Sequence, residues 1–128
     1  MIYGTGIDIL DVKRMDRAWK KHGLRLARRF LASQELPQFE SIEERHKSRW
    51  LAKRWAAKEA LAKATGLGIR APVSWESMTI THNKDGKPEW MFSGRLAEWM
   101  TQRNIKAHVS LSDEREWVVA HVILEQLP

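Results

Sequence analysis

The spacing of hydrophobic and polar residues predicts strands at both ends of the chain and helices between them. A run of β-branched and apolar residues at 2–10 is typical of a first strand, and apolar residues at helical spacing follow it. Alternating runs in the second half predict further strands around one more helix. The predicted elements are strand 2–10, helix 12–22, helix 24–31, helix 34–42, helix 46–65, strand 75–82, strand 88–92, helix 94–103, strand 107–112 and strand 116–125.

Two features of the strands bear on the fold. The pair Asp85-Gly86 predicts a turn at 83–86, because glycine accepts a positive φ at little cost. The last strand, 116–125, carries apolar residues at both its odd and its even positions. A strand of this kind needs cover on both faces, from helices or from another subunit. The pattern therefore indicates a small α+β domain that would benefit from a partner.

Length and composition restrict the class of protein. A chain of 128 residues, 43% hydrophobic and 30% charged, is typical of one globular domain, which we expect to span residues 1–128. The chain contains no cysteine, which excludes disulfides and thiolate metal sites and is compatible with a reducing cytoplasm. No apolar run approaches a membrane-spanning length, and the N-terminus lacks a signal-peptide pattern. We therefore expect a cytoplasmic protein that does not insert into membranes.

Positive charge is concentrated near the N-terminus. The net charge is +6, and residues 13–29 contain eight bases and a single acid, Asp16. Val12, Met15 and Trp19 recur at helical spacing, which predicts a basic amphipathic helix. Such a face is usually just solvated, but it also steers an acidic partner toward its binding site. Nucleic acid and an acidic protein both fit this description, although the chain has no recognisable RNA-binding signature.

The segment from Trp50 to Gly68, WLAKRWAAKEALAKATGLG, carries the most informative chemistry. Glu59 and Lys63 lie one turn apart on one face of the predicted helix, whereas Arg54 and Lys58 point to a different side. The neighbours of Glu59 and Lys63 on that face are small, and we expect them to leave room for a ligand; they are Ala52 and Ala56. A carboxylate suits Mg²⁺ and an amine suits phosphate oxygens, although this spacing is also the commonest stabilising pair on solvated helices.

A second carboxylate, Asp8, lies inside the first predicted strand. Strand alternation places Asp8 on the same face as Gly4 and Gly6, and glycine there lets another group approach closely. Asp11 is the better candidate for capping the next helix, because it directly precedes the helical segment. Asp8 is therefore left without a local structural role.

Four motifs, taken together, resemble one enzyme family. They are GIDIL near the N-terminus, RFLASQEL, LAKRWAAKEALAKATGLG and DGKPEW, in this order along nearly the whole chain. This combination resembles the holo-acyl-carrier-protein synthases, which are small bacterial-type 4′-phosphopantetheinyl transferases. The resemblance implies a single small α+β domain with a mostly antiparallel sheet packed against a long helix. It also implies a homotrimer with coenzyme A bound between neighbouring subunits.

The resemblance also implies a reaction and a set of catalytic residues. Such enzymes move the phosphopantetheine arm of coenzyme A to a serine of an acyl carrier protein and release 3′,5′-ADP. Asp8 and Glu59 match the family's Mg²⁺ ligands, and Lys63 matches a lysine that contacts the diphosphate and assists the leaving phosphate. These residue types suit phosphoryl transfer, which needs chiefly positioning and neutralisation of charge. Deprotonation of the serine could fall to Glu59 or to a water on the metal, and the sequence leaves both open.

Further binding residues follow from the same resemblance. The residues expected to contact coenzyme A are Lys63, Gly66, Arg54 and His108. Gly66 also fits a plain helix C-cap, and His108 also fits an ordinary half-exposed histidine at a strand end. Because acyl carrier proteins are acidic, the basic helix becomes a candidate docking surface, with Arg14, Arg17 and Lys21 as its contacts.

The chain departs from the family's pattern at two positions. Many relatives have histidine where this chain has Asp113, so a contact supplied by that histidine is in doubt. Relatives usually have threonine at the position of Ala32, in a T-x-x-E capping box that ends here at Glu35, and Ser33 could cap one residue later. Two alternative functions stay open: a non-catalytic basic module that binds RNA or an acidic protein, and an inactive relative that still binds coenzyme A.

Overall fold

The computed structural model describes all 128 residues and has its longest helix at the centre of the fold. The elements are β1 (Ile2–Asp11), α1 (Val12–His22), α2 (Leu24–Phe30), α3 (Glu35–Ser41), α4 (Glu44–Thr65), β2 (Met78–His82), β3 (Pro88–Phe92), α5 (Gly94–Gln102), β4 (Ile105–Glu114) and β5 (Trp117–Gln126). Every predicted helix and strand is present. The largest error is in β2, whose predicted start at 75 is a short 3₁₀ helix, Trp75–Ser77, closed by reciprocal hydrogen bonds between Ser74 and Ser77.

The strands form two antiparallel sheets. The larger sheet has the order β1-β5-β4, and β2 pairs with β3 in a separate hairpin. The turn predicted at 83–86 closes this hairpin, with Gly86 at φ +83°. In the larger sheet Asp8 lies opposite Ala120 of β5, and Ala120 lies opposite Leu111 of β4. One face of this sheet packs on α4, which confirms the predicted arrangement of a sheet on a long helix.

Two glycines set how closely β1 approaches α4. A Cβ built on Gly4 would overlap the carbonyl oxygen of Ala64, and one built on Gly6 would overlap that of Ala60. Neither oxygen can move without disrupting the helix, because both belong to the backbone of α4. The prediction that these glycines admit another group is therefore confirmed, and that group is the backbone of α4.

The small residues of α4 have a different role from the predicted one. Ala52 and Ala56 are fully buried and belong to the main hydrophobic core, together with Val118, Ala120 and Val122 of β5. The expectation that Ala52 and Ala56 leave room for a ligand was therefore wrong. Their small side chains are buried in the core of the protein.

A buried ion pair joins α4 to the segment around α3. Lys58 Nζ lies 2.5 Å from Glu35 Oε1, and both side chains are fully buried. Glu35 also accepts hydrogen bonds from the backbone nitrogens of Ala32 and Ile80, at 2.9 and 3.1 Å. Thus the glutamate half of the capping box is retained despite Ala32. The idea that Ser33 caps the helix was wrong, because α3 has no side-chain cap and the Ser33 hydroxyl donates to the Gln34 side chain instead.

The other face of the larger sheet is open in the single chain. Ile7 and Ile9 of β1 are 60% and 61% exposed, and Trp117 of β5 is 48% exposed. The helices therefore cover only one of the two apolar faces of β5. None of the helices is both long enough and apolar enough to cross a membrane.

Candidate active site

The close approach of β1 to α4 brings Asp8 and Lys63 into contact. Lys63 Nζ donates to Asp8 Oδ1 at 3.1 Å and to the carbonyl oxygen of Ile7 at 2.9 Å. The Asp8 side chain is only 18% exposed, whereas the Lys63 side chain is 53% exposed. Asp8 does not cap α1, because Asp11 does so by accepting a hydrogen bond from the backbone nitrogen of Lys13 at 2.9 Å. The prediction that Asp8 is free of a capping role is confirmed.

Glu59 completes this acidic site from the turn of α4 before Lys63. Its pKa is raised mainly by burial and further by the negative charge of Asp8, while Lys63 opposes the shift. The charge of Asp8 therefore acts on Glu59, although the two carboxylates come from a strand and a helix far apart in the chain. We refer to Asp8, Glu59 and Lys63 as the carboxylate–lysine cluster.

The oxygen atoms of the cluster suit a hard divalent cation. The Asp8 carboxylate and the Ile7 carbonyl group contact the Lys63 ammonium group, and the charges of Asp8 and Lys63 both act on Glu59. No group of three or more His, Asp or Glu side chains forms a complete metal cage. Mg²⁺ typically binds one or two protein carboxylates and takes its remaining ligands from water and substrate phosphates. The donor set therefore fits Mg²⁺ held jointly by the protein and a phosphate-bearing ligand.

Gly66 ends α4 three residues after Lys63. It adopts the left-handed conformation, with φ 79° and ψ 0°, and its N–H group donates to the carbonyl oxygen of Lys63. The predicted C-cap is confirmed. The backbone of residues 66–68 therefore begins within one helical turn of Lys63, which carries the ammonium group.

Arg54 lies on another side of α4, about 140° around the helix from Glu59. It is 4% exposed, its guanidinium carbon is 3.9 Å from the centre of the Trp50 ring, and its buried Nε has no hydrogen-bond partner. Burial lowers the pKa of Arg54 to about 10, and the charge of Glu35 opposes this shift. A buried guanidinium group with an unsatisfied donor is suited to binding an anion.

Arg54 borders a polar cavity of about 810 Å³ between α4, β4 and the β2–β3 hairpin. Four further basic side chains line it, namely His46, Arg49, Lys53 and His82. Asp113 also lines this cavity and pairs with Arg49 at 2.9 Å and with Lys53 at 3.3 Å. The departure from the family's pattern at Asp113 therefore supplies an ion-pair link between β4 and α4. The sequence analysis did not predict this cluster of ion pairs around Asp113. Its only signal in the sequence is the one-turn spacing of Arg49 and Lys53.

His108 does not join the carboxylate–lysine cluster within one chain. In the larger sheet, His108 lies opposite Ile123 of β5, and Ile123 lies opposite Thr5 of β1. The side chains of His108 and Thr5 are therefore on the same face of the sheet. Asp8 is three residues after Thr5 and therefore points to the opposite face, toward α4. His108 Nε2 lies 3.0 Å from Glu125 Oε1 and lines a separate cavity of about 380 Å³ beside β3.

The three predicted docking residues lie on the outer surface of α1. Arg14, Arg17 and Lys21 are exposed, whereas Met15 on the same helix is buried. None of the three takes part in an ion pair, in contrast to Lys20, which lies 2.9 Å from Asp16. Their positive charges are therefore available to a partner.

Comparisons with known proteins agree with this geometry. Residues 4–122 match the family described as ACPS, 4′-phosphopantetheinyl transferase superfamily. The chain is 46% identical to the holo-[acyl-carrier-protein] synthase of Dechloromonas aromatica over 125 residues, which cover 98% of both chains. Its fold matches the crystal structure of holo-[acyl-carrier-protein] synthase from Neisseria meningitidis with a TM-score of 0.91 and 43% identity, over 98% of this chain and 99% of that one.

A second solved structure was determined with a ligand. The Bacillus anthracis holo-(acyl-carrier-protein) synthase, crystallised in complex with CoA (3′,5′-ADP), matches with a TM-score of 0.84 and 31% identity over 99% of both chains. These matches cover nearly the whole chain, in sequence and in structure alike. The chain therefore belongs to the 4′-phosphopantetheinyl transferase superfamily, within the holo-[acyl-carrier-protein] synthases.

Proposed function

We propose that this chain, as one domain over residues 1–128, transfers the 4′-phosphopantetheine arm of coenzyme A to a serine of an apo-acyl carrier protein. The second product is 3′,5′-ADP, and the reaction requires Mg²⁺. The observation that carries the proposal is the convergence of Asp8, Glu59 and Lys63 at the contact between β1 and α4. The lack of cysteine is compatible with a reducing cytoplasm, where we propose that the enzyme works.

The proposed reaction forms one bond to phosphorus and breaks another. The serine oxygen of the carrier attacks the phosphorus that bears the pantetheine arm, and the bond from that phosphorus to the bridging oxygen breaks. Mg²⁺, when bound to Asp8 and Glu59, would neutralise charge on the diphosphate oxygens. Lys63 would donate to the phosphate oxygens of the departing 3′,5′-ADP, since its ammonium group is more than half exposed beside Asp8.

Glu59 is our candidate for accepting the serine proton. A general base must accept a proton as the serine attacks, and burial together with the Asp8 carboxylate raises the pKa of Glu59 above its ordinary value. Asp8 would serve as metal ligand only. This assignment chooses between the two acceptors that the sequence leaves open.

The cavity at Arg54 would take the charged nucleotide end of coenzyme A. Five basic side chains border it, and the buried Arg54 supplies an unsatisfied donor. Within one chain this cavity and His108 both lie away from the carboxylate–lysine cluster. We therefore propose a homotrimer in which one coenzyme A molecule spans two subunits, as the exposed apolar face around Ile7, Ile9 and Trp117 supports.

We further propose that the acyl carrier protein docks on α1. Arg14, Arg17 and Lys21 present unpaired positive charge there, and acidic proteins are attracted to such a surface. Neither nucleic acid nor a membrane is a partner in this proposal.

The decisive experiment measures the mass of the carrier. Apo-carrier, coenzyme A and Mg²⁺ are incubated with the protein, and the carrier should gain the mass of one phosphopantetheine arm. Asp8→Asn should lose nearly all of this activity while it remains folded, because one cation-binding charge is gone. Glu98→Gln, which removes an exposed carboxylate from α5, is the matched control and should be active.

Each negative result points to one of the alternatives. A carrier of unchanged mass, with tight coenzyme A binding, would indicate an inactive relative. A carrier of unchanged mass, with salt-sensitive RNA binding in place of coenzyme A binding, would indicate a basic binding module. Normal activity of Asp8→Asn would remove Asp8 from the site.

A further inference from the structure

The ammonium group of Lys63 lies where a cation would meet the oxygens of the site. Its Nζ is 3.1 Å from Asp8 Oδ1 and 2.9 Å from the Ile7 carbonyl oxygen, which are two of the donors available to a metal ion. We infer that Lys63 acts as a placeholder cation: it pairs with Asp8 in the metal-free protein and must leave Asp8 before a divalent ion binds. This inference rests on the proposed metal ligands, Asp8 and Glu59.

The charges around the site explain why a placeholder is useful. Asp8 and Glu59 are both partly buried, and two neighbouring carboxylates repel each other when neither is paired. Lys63 is the cation in contact with Asp8, and it therefore offsets this repulsion in the metal-free protein. The same positively charged ammonium group would repel a divalent cation that binds beside it. Lys63 thus stabilises the two carboxylates and weakens the binding of a metal ion alone.

The side chain of Lys63 is able to withdraw. It is 53% exposed, and its polar contacts are limited to Asp8 and Ile7, both on β1. Its flexible four-carbon stem lets the ammonium group turn toward solvent or toward a phosphate without movement of α4. A diphosphate that attracts Lys63 would free Asp8, and thermodynamic reciprocity then requires that the metal and the diphosphate strengthen each other's binding.

The test measures the binding of Mn²⁺ alone, followed by the loss of the free-ion signal in electron paramagnetic resonance. Lys63→Met should bind Mn²⁺ about five- to tenfold more tightly than the wild type, because the competing charge is removed. Lys63→Arg keeps that charge and should stay as weak as the wild type. Lys84→Met removes a positive charge from the exposed β2–β3 turn, where Lys84 forms no ion pair, and should leave the affinity unchanged.

Two further measurements separate the possible failures. Circular dichroism verifies that each variant is folded, and Asp8→Asn should lose most of its Mn²⁺ binding. Unchanged or weaker Mn²⁺ binding in Lys63→Met, with loss of binding in Asp8→Asn, would overturn the placeholder role alone. Full Mn²⁺ binding in Asp8→Asn would instead overturn the proposed metal site and, with it, the inference.

Discussion

Single residues decide whether the two halves of the carboxylate–lysine cluster meet. Asp8 reaches Lys63 because β1 runs against the backbone of α4, and it does so because positions 4 and 6 lack a side chain. Any side chain larger than hydrogen would push the strand away and carry Asp8 with it. The glycines therefore both allow β1 to pack on α4 and bring Asp8 within reach of Lys63.

Gly6→Ala should strongly destabilise the protein. The new methyl group would overlap the carbonyl oxygen of Ala60 and lie 2.8 Å from the backbone nitrogen of Ala64, so the strand must shift. We expect a loss of about 3 kcal/mol in the free energy of unfolding, as for other overpacked cores, measured by urea denaturation.

The control for this prediction is a glycine with free space around it. Gly86 has φ +83° and no atom within 4 Å of an added Cβ, so Gly86→Ala introduces backbone strain alone. That change should cost only about 1 kcal/mol. Equal losses in the two variants would show that the contact between β1 and α4 tolerates a side chain.

The elements themselves follow closely from local patterns in the sequence. The bounds of α1 and the C-terminal end of α4 were predictable because apolar spacing, the Asp11 cap and Gly66 are local signals, whereas α4 begins two residues before its predicted start. The 3₁₀ helix Trp75–Ser77 was not predictable, because it depends on side-chain bonds between Ser74 and Ser77 that alternation does not record. The role of Ala52 and Ala56 was predicted wrongly for a related reason. A small residue leaves room equally well for a ligand or for tight packing in the core, and periodicity cannot distinguish them.

The exposed face of α1 carries the next prediction. Arg17→Glu should raise the apparent KM for the apo-carrier about fivefold and leave the KM for coenzyme A unchanged, because Arg17 is exposed, unpaired and outside the carboxylate–lysine cluster. Steady-state kinetics with each substrate varied in turn provide the measurement. Arg95→Glu on α5 makes the same change in net charge and should leave both values unchanged. A similar rise in both KM values for Arg17→Glu would exclude α1 as the docking surface.

At the scale of the whole molecule, residues that the family resemblance assigns to one ligand lie on different sides of the protein. Sequence motifs assigned Arg54 and His108 to the same ligand as Glu59, yet one chain directs them to different sides. Helix phase already places Arg54 on another side of α4 from Glu59. The face that His108 occupies depends on strand register, and the subunit that each residue serves depends on assembly. A motif records neither. The sequence could thus propose these residues as a group, whereas their arrangement in space needed the structure.

The open face of the larger sheet is the surface on which we expect subunits to meet. Ile9 is 61% exposed there and lies opposite Val119 of β5, so Ile9→Glu would bury a carboxylate at the proposed interface. The wild type should have the mass of three chains by light scattering, and Ile9→Glu should have the mass of one. Leu24→Glu on α2, where leucine is 42% exposed, is the matched control and should keep three chains.

Because the proposed site spans two subunits, Ile9→Glu should also lose transferase activity even though the carboxylate–lysine cluster is intact within each chain. A wild type with the mass of one chain, or a fully active single-chain Ile9→Glu, would contradict the shared site.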